Sequence, residues 1–193
     1  MPDHVSQSEE LLVGRHVLIA LTGGIACYKI ASLVSSLVQV GTTVDVVMTD
    51  AATRFIAPLT FESLTGRQVY DCQWKQGDIL TPLHIQLAEQ ADAVLIAPCT
   101  MNMLGKLVSG ITNDLVSLTV SAVDRTMTPV ILAPAMNVTM FGQPATRRNI
   151  ETLKGDGFTV LEPEDGWQAC KSFGKGRLPE TETLFEAIQN CFA

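Results

Sequence analysis

With 193 residues, 47% of them hydrophobic and 17% charged, the chain is long enough to bury one core without disulfide or metal staples. The net charge of −7, with 13 basic residues scattered along the sequence, argues against a nucleic-acid or anionic-membrane partner. No apolar run reaches the roughly 18 residues of a bilayer span, and the five cysteines, an odd number without a C-x-x-C, read with only three histidines as free thiols and no metal site.

The acidic, polar residues 1–13 lack the apolar core of a signal peptide and read as a flexible leader to a cytoplasmic protein. "HVLIAL" (16–21) is a short, almost wholly apolar run, the pattern of a strand buried on both faces of a parallel sheet. "TGG" and a segment of helical periodicity follow, stopped at Gly41. "TVDVVM" (43–48) is a second strand, and residues 50–65 read as helical pieces broken near Pro58. "ADAVLIAP" (91–98) is a third strand. Residues 100–123 are helical with a break at 110–113, "TPVILAP" (128–134) is a fourth strand, and 143–157 form a helix closed by glycine. "FTVLEP" (158–163) is an edge-like strand, 165–178 a long, mobile loop, and 180–191 a terminal helix. Alternating strand and helix predicts a single-domain α/β fold over 14–193, a three-layer, doubly wound parallel sheet.

Ligands of such sheets lie beyond the carboxyl ends of the strands. Four unusual segments fall there: Thr22-Gly23-Gly24, Thr49-Asp50, Pro98 to Asn102, and Pro134-Ala135-Met136-Asn137. A glycine turn at a helix start favours phosphate, with Thr22 and Thr49 as hydroxyl donors, but it is neither G-x-G-x-x-G nor a Walker loop, and a tight turn alone explains it equally well. Thr100 suits a helix cap. Asn137, Met140 and Phe141 are costly choices for a plain loop and point to a ligand wall. His84, amid helix and strand signals, is an acid/base candidate, although lone histidines are more often structural. Cys170 lies in the glycine-rich loop, where Lys171 favours its thiolate.

"LTGGIACYK", "PLHIQLAEQADAVLIAP", "GITNDL", "LAPAMNVTMF" and "GWQACKSFGKGRL" together resemble the homo-oligomeric flavin-containing cysteine decarboxylases. The resemblance runs from about Gly14 to the C-terminus, and "PAMNVTMF" is its most specific part. It implies a flavodoxin-like or Rossmann-like subunit that forms a trimer or dodecamer with FMN at the subunit interface. The flavin contacts fall on Gly23, Gly24, Ile25, Thr49, Thr100, Met101, Asn102, Met103 and Ala135. The catalytic residues fall on His84 and the flap cysteine Cys170, and the substrate contacts on Asn137, Met140 and Ala169, with Met and Phe side chains walling flavin and substrate. Two departures stand out: "PCTMNM" replaces the family's "PASANT", and "ACKSFGKGRL" replaces "ACGDxGxGRM".

The implied activity is FMN-dependent decarboxylation of 4'-phosphopantothenoylcysteine to 4'-phosphopantetheine in coenzyme A biosynthesis. Flavin explains how a carboxylate without an electron sink is lost: oxidation of the thiol to a thioaldehyde creates the sink. A peptidyl-cysteine decarboxylase, a flavin prenyltransferase and a non-enzymatic, flavin-binding regulatory homologue remain alternative readings.

Overall fold

A computed structural model describes residues 9–74 and 81–193. Along β1 (His16–Leu21), Val17, Ile19 and Leu21 enter one core and Leu18 and Ala20 the other. A strand that must satisfy both faces reads as continuous apolar sequence rather than an alternation. In α1 (Cys27–Gln39), Ile30, Leu33, Val34 and Leu37 recur at helical spacing and are fully buried. Each such burial stabilises by about 1.5–3 kcal/mol relative to exposure. β2 (Thr43–Met48) follows, then α2 (Asp50–Thr53) and α3 (Pro58–Thr65), separated because Pro58 occupies the first turn of α3, where its missing N–H costs nothing. β3 (Val69–Tyr70) and α4 (Leu83–Gln90) lead to β4 (Ala93–Cys99), which is buried along its whole length.

The helical stretch after β4 divides as expected. α5 (Met101–Ser109) ends at Gly110, whose φ of 65° is left-handed, and α6 (Leu115–Ala122) begins where the Asp114 carboxylate accepts from Ser117 N at 2.9 Å. β5 (Val130–Pro134), α7 (Val138–Phe141), α8 (Pro144–Gly155) and β6 (Thr159–Val160) follow. An antiparallel hairpin, β7 (Glu164–Trp167) and β8 (Phe173–Arg177), precedes α9 (Thr181–Gln189).

The six-stranded sheet has the order β3-β2-β1-β4-β5-β6 with every pair parallel. Helices α1, α3 and α9 pack together on one face and α4, α5, α6 and α8 on the other. The strand order reverses between β1 and β4, the place where open α/β sheets open a crevice.

Two expectations change. The stretch taken as a mobile loop, 165–178, is the β7–β8 hairpin, with Trp167 opposite Phe173. Glycines and charges had hidden its alternation. At the other end, residues 1–8 lie outside the described residues, but Leu12 of the expected leader is packed into the core. Glu9–Leu12 form a 3-10 turn, Leu12 is fully buried, and its carbonyl accepts from Thr42 Oγ1 at 3.1 Å. β3 went unpredicted because two residues carry no readable period.

Candidate active site

A cavity of about 550 Å3 opens at the carboxyl ends of β1, β4 and β5, roofed by the hairpin. The turn after β1 forms its floor. A Cβ at Gly23 would stand 2.5 Å from Ala51 Cβ, so only glycine lets this turn approach α2. Gly23, Gly24, Ile25, Tyr28 and Lys29 face the cavity, joined by Thr100 and Met101 from the start of α5. The Thr100 hydroxyl caps α5, accepting from Met103 N at 3.4 Å. Unlike the glycines, the threonine hydroxyls are already engaged. Thr22 is buried, donates to Pro98 O at 2.6 Å and accepts from Thr100 N at 3.0 Å. Thr49 donates to Leu21 O at 3.4 Å and accepts from Ala52 N at 3.2 Å, capping α2.

The segment after β5 supplies the far wall through Ala135, Met136, Asn137 and Met140. Asn137 caps α7: its Oδ1 accepts from Met140 N at 2.9 Å. That bond fixes the amide, because Oδ1 must face the N–H, and leaves Nδ2 to donate elsewhere. It points at Cys170 Sγ, 3.7 Å away. The asparagine that looked extravagant for a turn therefore serves as a cap with one amide face and presents a donor with the other. Phe141 does not line the cavity but packs against the core beside α8, a correction to its expected place in the ligand wall.

The hairpin is seated on this wall by backbone contact. Met136 N donates to Gly176 O at 2.9 Å. A Cβ at Gly176 would stand 2.2 Å from Met136 O and 2.9 Å from Gln168 Nε2, and its φ of 143° is a glycine conformation. The buried Gln168 side chain locks the two segments: Oε1 accepts from Val138 N at 3.0 Å, and Nε2 donates to Gly174 O at 3.3 Å.

At the tip, Gln168 N donates to Ser172 O at 2.8 Å and Lys171 N to Gln168 O at 2.9 Å, closing a loop whose last residue, Lys171, has φ 62°. Such three-residue hairpin loops need a left-handed residue there and usually take glycine. Cys170 is exposed at this tip beside Ala169, and both line the cavity. The thiol sits below the ordinary cysteine range, first because Ser172 Oγ lies 2.9 Å from Sγ and further because Asn137 donates to it. Lys171, expected to favour the thiolate, is not among the causes. In contrast, burial pushes the Cys99 and Cys27 thiols up, which disfavours their thiolates.

Sequence reasoning missed two cations. Lys29 and Arg177 line the cavity and are bridged by Glu180, with Lys29 Nζ 2.9 Å from Oε2 and Arg177 on the other oxygen. Burial and the neighbouring guanidinium hold the Lys29 ammonium below the ordinary lysine range. Trp167, two-thirds exposed, also lines the cavity. Single Lys, Arg and Trp residues carry no spacing signal, so only the fold reveals their convergence.

Other expected site residues lie elsewhere. Met103 is a core side chain beneath the sheet, and Asn102 projects outward from the first turn of α5. His84, in the first turn of α4, is half-buried and does not line the cavity. It belongs to the connection between β3 and β4.

The family described as Flavoprotein matches residues 5–193. The chain is 43% identical over 183 residues to the coenzyme A biosynthesis bifunctional protein CoaBC of Bacillus subtilis, covering 95% of this chain but 44% of that protein. The chain thus spans less than half the length of this bifunctional relative. It is 37% identical to a probable phosphopantothenoylcysteine decarboxylase of Streptococcus mutans, covering 91% of this chain and 97% of that one. Among solved structures, a PPC decarboxylase mutant complexed with pantothenoylaminoethenethiol superposes with a TM-score of 0.82 at 27% identity, covering 91% of this chain and 97% of that one. The FMN-dependent cysteine decarboxylase SpaF gives 0.79 at 26% identity, with 94% and 97% covered.

Proposed function

The chain belongs to the Flavoprotein family, and we propose that it is an FMN-dependent decarboxylase of 4'-phosphopantothenoylcysteine, yielding 4'-phosphopantetheine for coenzyme A biosynthesis. The observation that carries this reading is the meeting of Asn137 Nδ2 and Cys170 Sγ, 3.7 Å apart, at the wall of a cavity floored by a glycine turn.

The lining fits a flavin. Ile25 and Tyr28 are more than half exposed and, with Met101 and Met140, offer apolar faces that a planar ring covers. Residues at the starts of α1 and α5 line a cavity that also holds two cations, which suits a phosphate-bearing ligand. Gly23, Gly24, Ile25, Thr100, Met101 and Ala135 are the proposed cofactor contacts. Held by these residues, FMN would supply reversible two-electron, hydride-level redox chemistry at the substrate's thiol-bearing carbon.

The chain's own groups then manage charge and protons. Asn137 Nδ2 donates to the substrate carboxylate until CO2 leaves. Met140 and Ala169 enclose the substrate, and the hairpin excludes water over it. Cys170 gives the proton that completes the product. His84 carries protons from the α4 edge. Because it stands apart from the cavity of its own subunit, the proposed active unit is a homo-oligomer in which a second copy presents its His84. Exposed Leu59 and Phe55 on the α2–α3 surface, 67% and 48% accessible, supply apolar area for such packing.

The test is direct. Purified protein is expected to absorb as a flavoprotein, to elute as an oligomer, and to release CO2 from phosphopantothenoylcysteine with formation of the saturated thiol. A colourless protein that leaves this substrate intact overturns the reading. Turnover of a C-terminal cysteine peptide in its place assigns the peptide substrate instead.

A further inference from the structure

The tip of the hairpin holds a hydroxyl that the proposed mechanism has not yet used. Ser172 Oγ lies 2.9 Å from Cys170 Sγ and 3.2 Å from Gln168 Oε1. Gln168 is buried, and its amide is pinned in one orientation. Oε1 must accept, because Val138 N–H points at it from 3.0 Å, and Nε2 must donate, because the carbonyls of Gly174 and Met136 lie 3.3 and 3.5 Å away. A hydroxyl beside a fixed acceptor gives it its proton. While the thiol is protonated, Sγ–H therefore donates to Ser172 Oγ, the nearer acceptor at 2.9 Å against 3.7 Å for Gln168 Oε1, and Oγ–H donates to Gln168 Oε1.

We propose that Ser172 is the positioning residue for Cys170, a single hydroxyl that accepts from the thiol before proton transfer and, by rotating its O–H, donates to the thiolate afterwards. The inference rests on the reading of Cys170 as the proton donor of the flap. In that step the Cys170 S–H bond breaks, and its proton forms a C–H bond at the enethiolate carbon left by CO2 loss. The sulfur keeps the electron pair. The Ser172 O–H then turns from Gln168 Oε1 to Sγ, while Asn137 Nδ2 supports the new anion from the other side. The turn costs little, because Gln168 Oε1 still accepts from Val138 N. Solvent reprotonates the exposed thiolate.

The surroundings favour a hydroxyl over a charge for this task. The facing segment, Ala135 to Phe141, carries only neutral residues. Lys29 and Arg177, which line the same cavity, are each engaged by Glu180, and Lys171 stands beside the thiol on the tip without contributing to its shift. Ser172 thus fills the position where the related sequence pattern, "ACGDxGxGRM", carries an acid. A carboxylate 2.9 Å from sulfur would oppose the thiolate; a hydroxyl serves both protonation states.

The experiment uses flavin-loaded wild type, S172T and S172V, which share a side-chain shape but differ in the hydroxyl. Iodoacetamide alkylation of the Cys170-bearing peptide is followed by mass spectrometry across a pH series, without substrate. S172V is expected to titrate at higher pH than wild type and to react at least about threefold more slowly at neutral pH, while S172T follows wild type. Superimposable profiles for wild type and S172V overturn the inference. In the decarboxylation assay, S172V is expected to keep CO2 release but to lag in saturated thiol. If the alkylation profiles separate while wild type releases no CO2, the hydroxyl–thiol pairing stands and the proposed function fails.

Discussion

Two polar clusters sit at opposite ends of the sheet, and they differ in what remains unspent. At the amino end, Asp45 is buried on β2, takes His16 Nε2 at 2.7 Å on one oxygen and is gripped by Arg67 Nε at 2.6 Å on the other. The same end ties His16 N to Asp92 Oδ2 at 2.8 Å. His16 and Arg67 between them occupy both Asp45 oxygens. At the carboxyl end, Cys170 and Asn137 each use part of their bonding capacity to hold position and turn the rest toward a cavity. Buried charge with complete pairing specifies the fold; partial pairing at an open rim leaves groups that can change partners during a reaction.

The most severe way to break the contrast is to remove the unspent thiol. Cys170→Ser in the proposed enzyme is expected to leave CO2 release measurable while formation of the saturated thiol falls at least about 100-fold, the ordinary scale for loss of a general acid. Mass spectrometry of the product, with an unsaturated species two mass units lighter, checks it. Full wild-type yield of saturated product removes Cys170 from the mechanism.

Next in size is the seat of the hairpin. Gly176→Ala places a methyl 2.2 Å from a backbone oxygen that cannot yield, at a φ of 143°. The hairpin is expected to lift and lose the Met136 N–Gly176 O bond, with a cost of about 2–4 kcal/mol and roughly tenfold or greater loss of activity. Hydrogen exchange should accelerate in 164–177 and remain unchanged in β1 and β4. An unaltered exchange pattern would mean the hairpin tolerates the methyl.

What the sequence revealed follows the same division. β1 and β2 were legible to the residue because strands buried on both faces leave an uninterrupted apolar run. The rim was legible where a local turn or cap has a residue signature, as in Gly23, Thr100 and Asn137. It was illegible where function arises from tertiary convergence. Lys29 looks like any helix lysine until Glu180 and Arg177 meet it across 151 and 148 positions of chain. Ser172 and Gln168 are unremarkable polar residues until the hairpin folds them against the thiol. The hydroxyls of Thr22 and Thr49, read from the sequence as phosphate donors, donate instead to nearby backbone carbonyls.

At the amino end, Asp45→Asn keeps the shape and removes the charge. Burial alone would raise the Asp45 carboxyl, but hydrogen bonds and charge from His16 and Arg67 hold it below the ordinary range. A depressed folded value means that the stabilisation is present above the unfolded value of about 3.9 and lost as pH falls through the folded one. Asp45→Asn is therefore expected to lower stability by about 2–3 kcal/mol at neutral pH, with a Tm drop of roughly 5–10 °C. The gap to wild type should narrow in melts below about pH 4. Cys170 alkylation should not change, because the two clusters share no partner. A constant gap down to low pH would locate the loss in packing rather than charge.

The smallest effect separates strain from chemistry within the tip itself. Lys171 holds φ 62°, where a side chain costs roughly 1–2 kcal/mol, so Lys171→Gly relieves that strain. Glycine also gives the unfolded chain more freedom, which returns about 0.4–1 kcal/mol of the gain. The net expectation is a stabilisation of about 0.5 kcal/mol, a Tm rise of roughly 1–2 °C. The thiol is held by Ser172 and Asn137 rather than by the lysine, so the Cys170 alkylation profile should superimpose on wild type. A profile displaced to higher pH would return the ammonium to the thiol's environment and make the tip an electrostatic device instead of a hydrogen-bonded one.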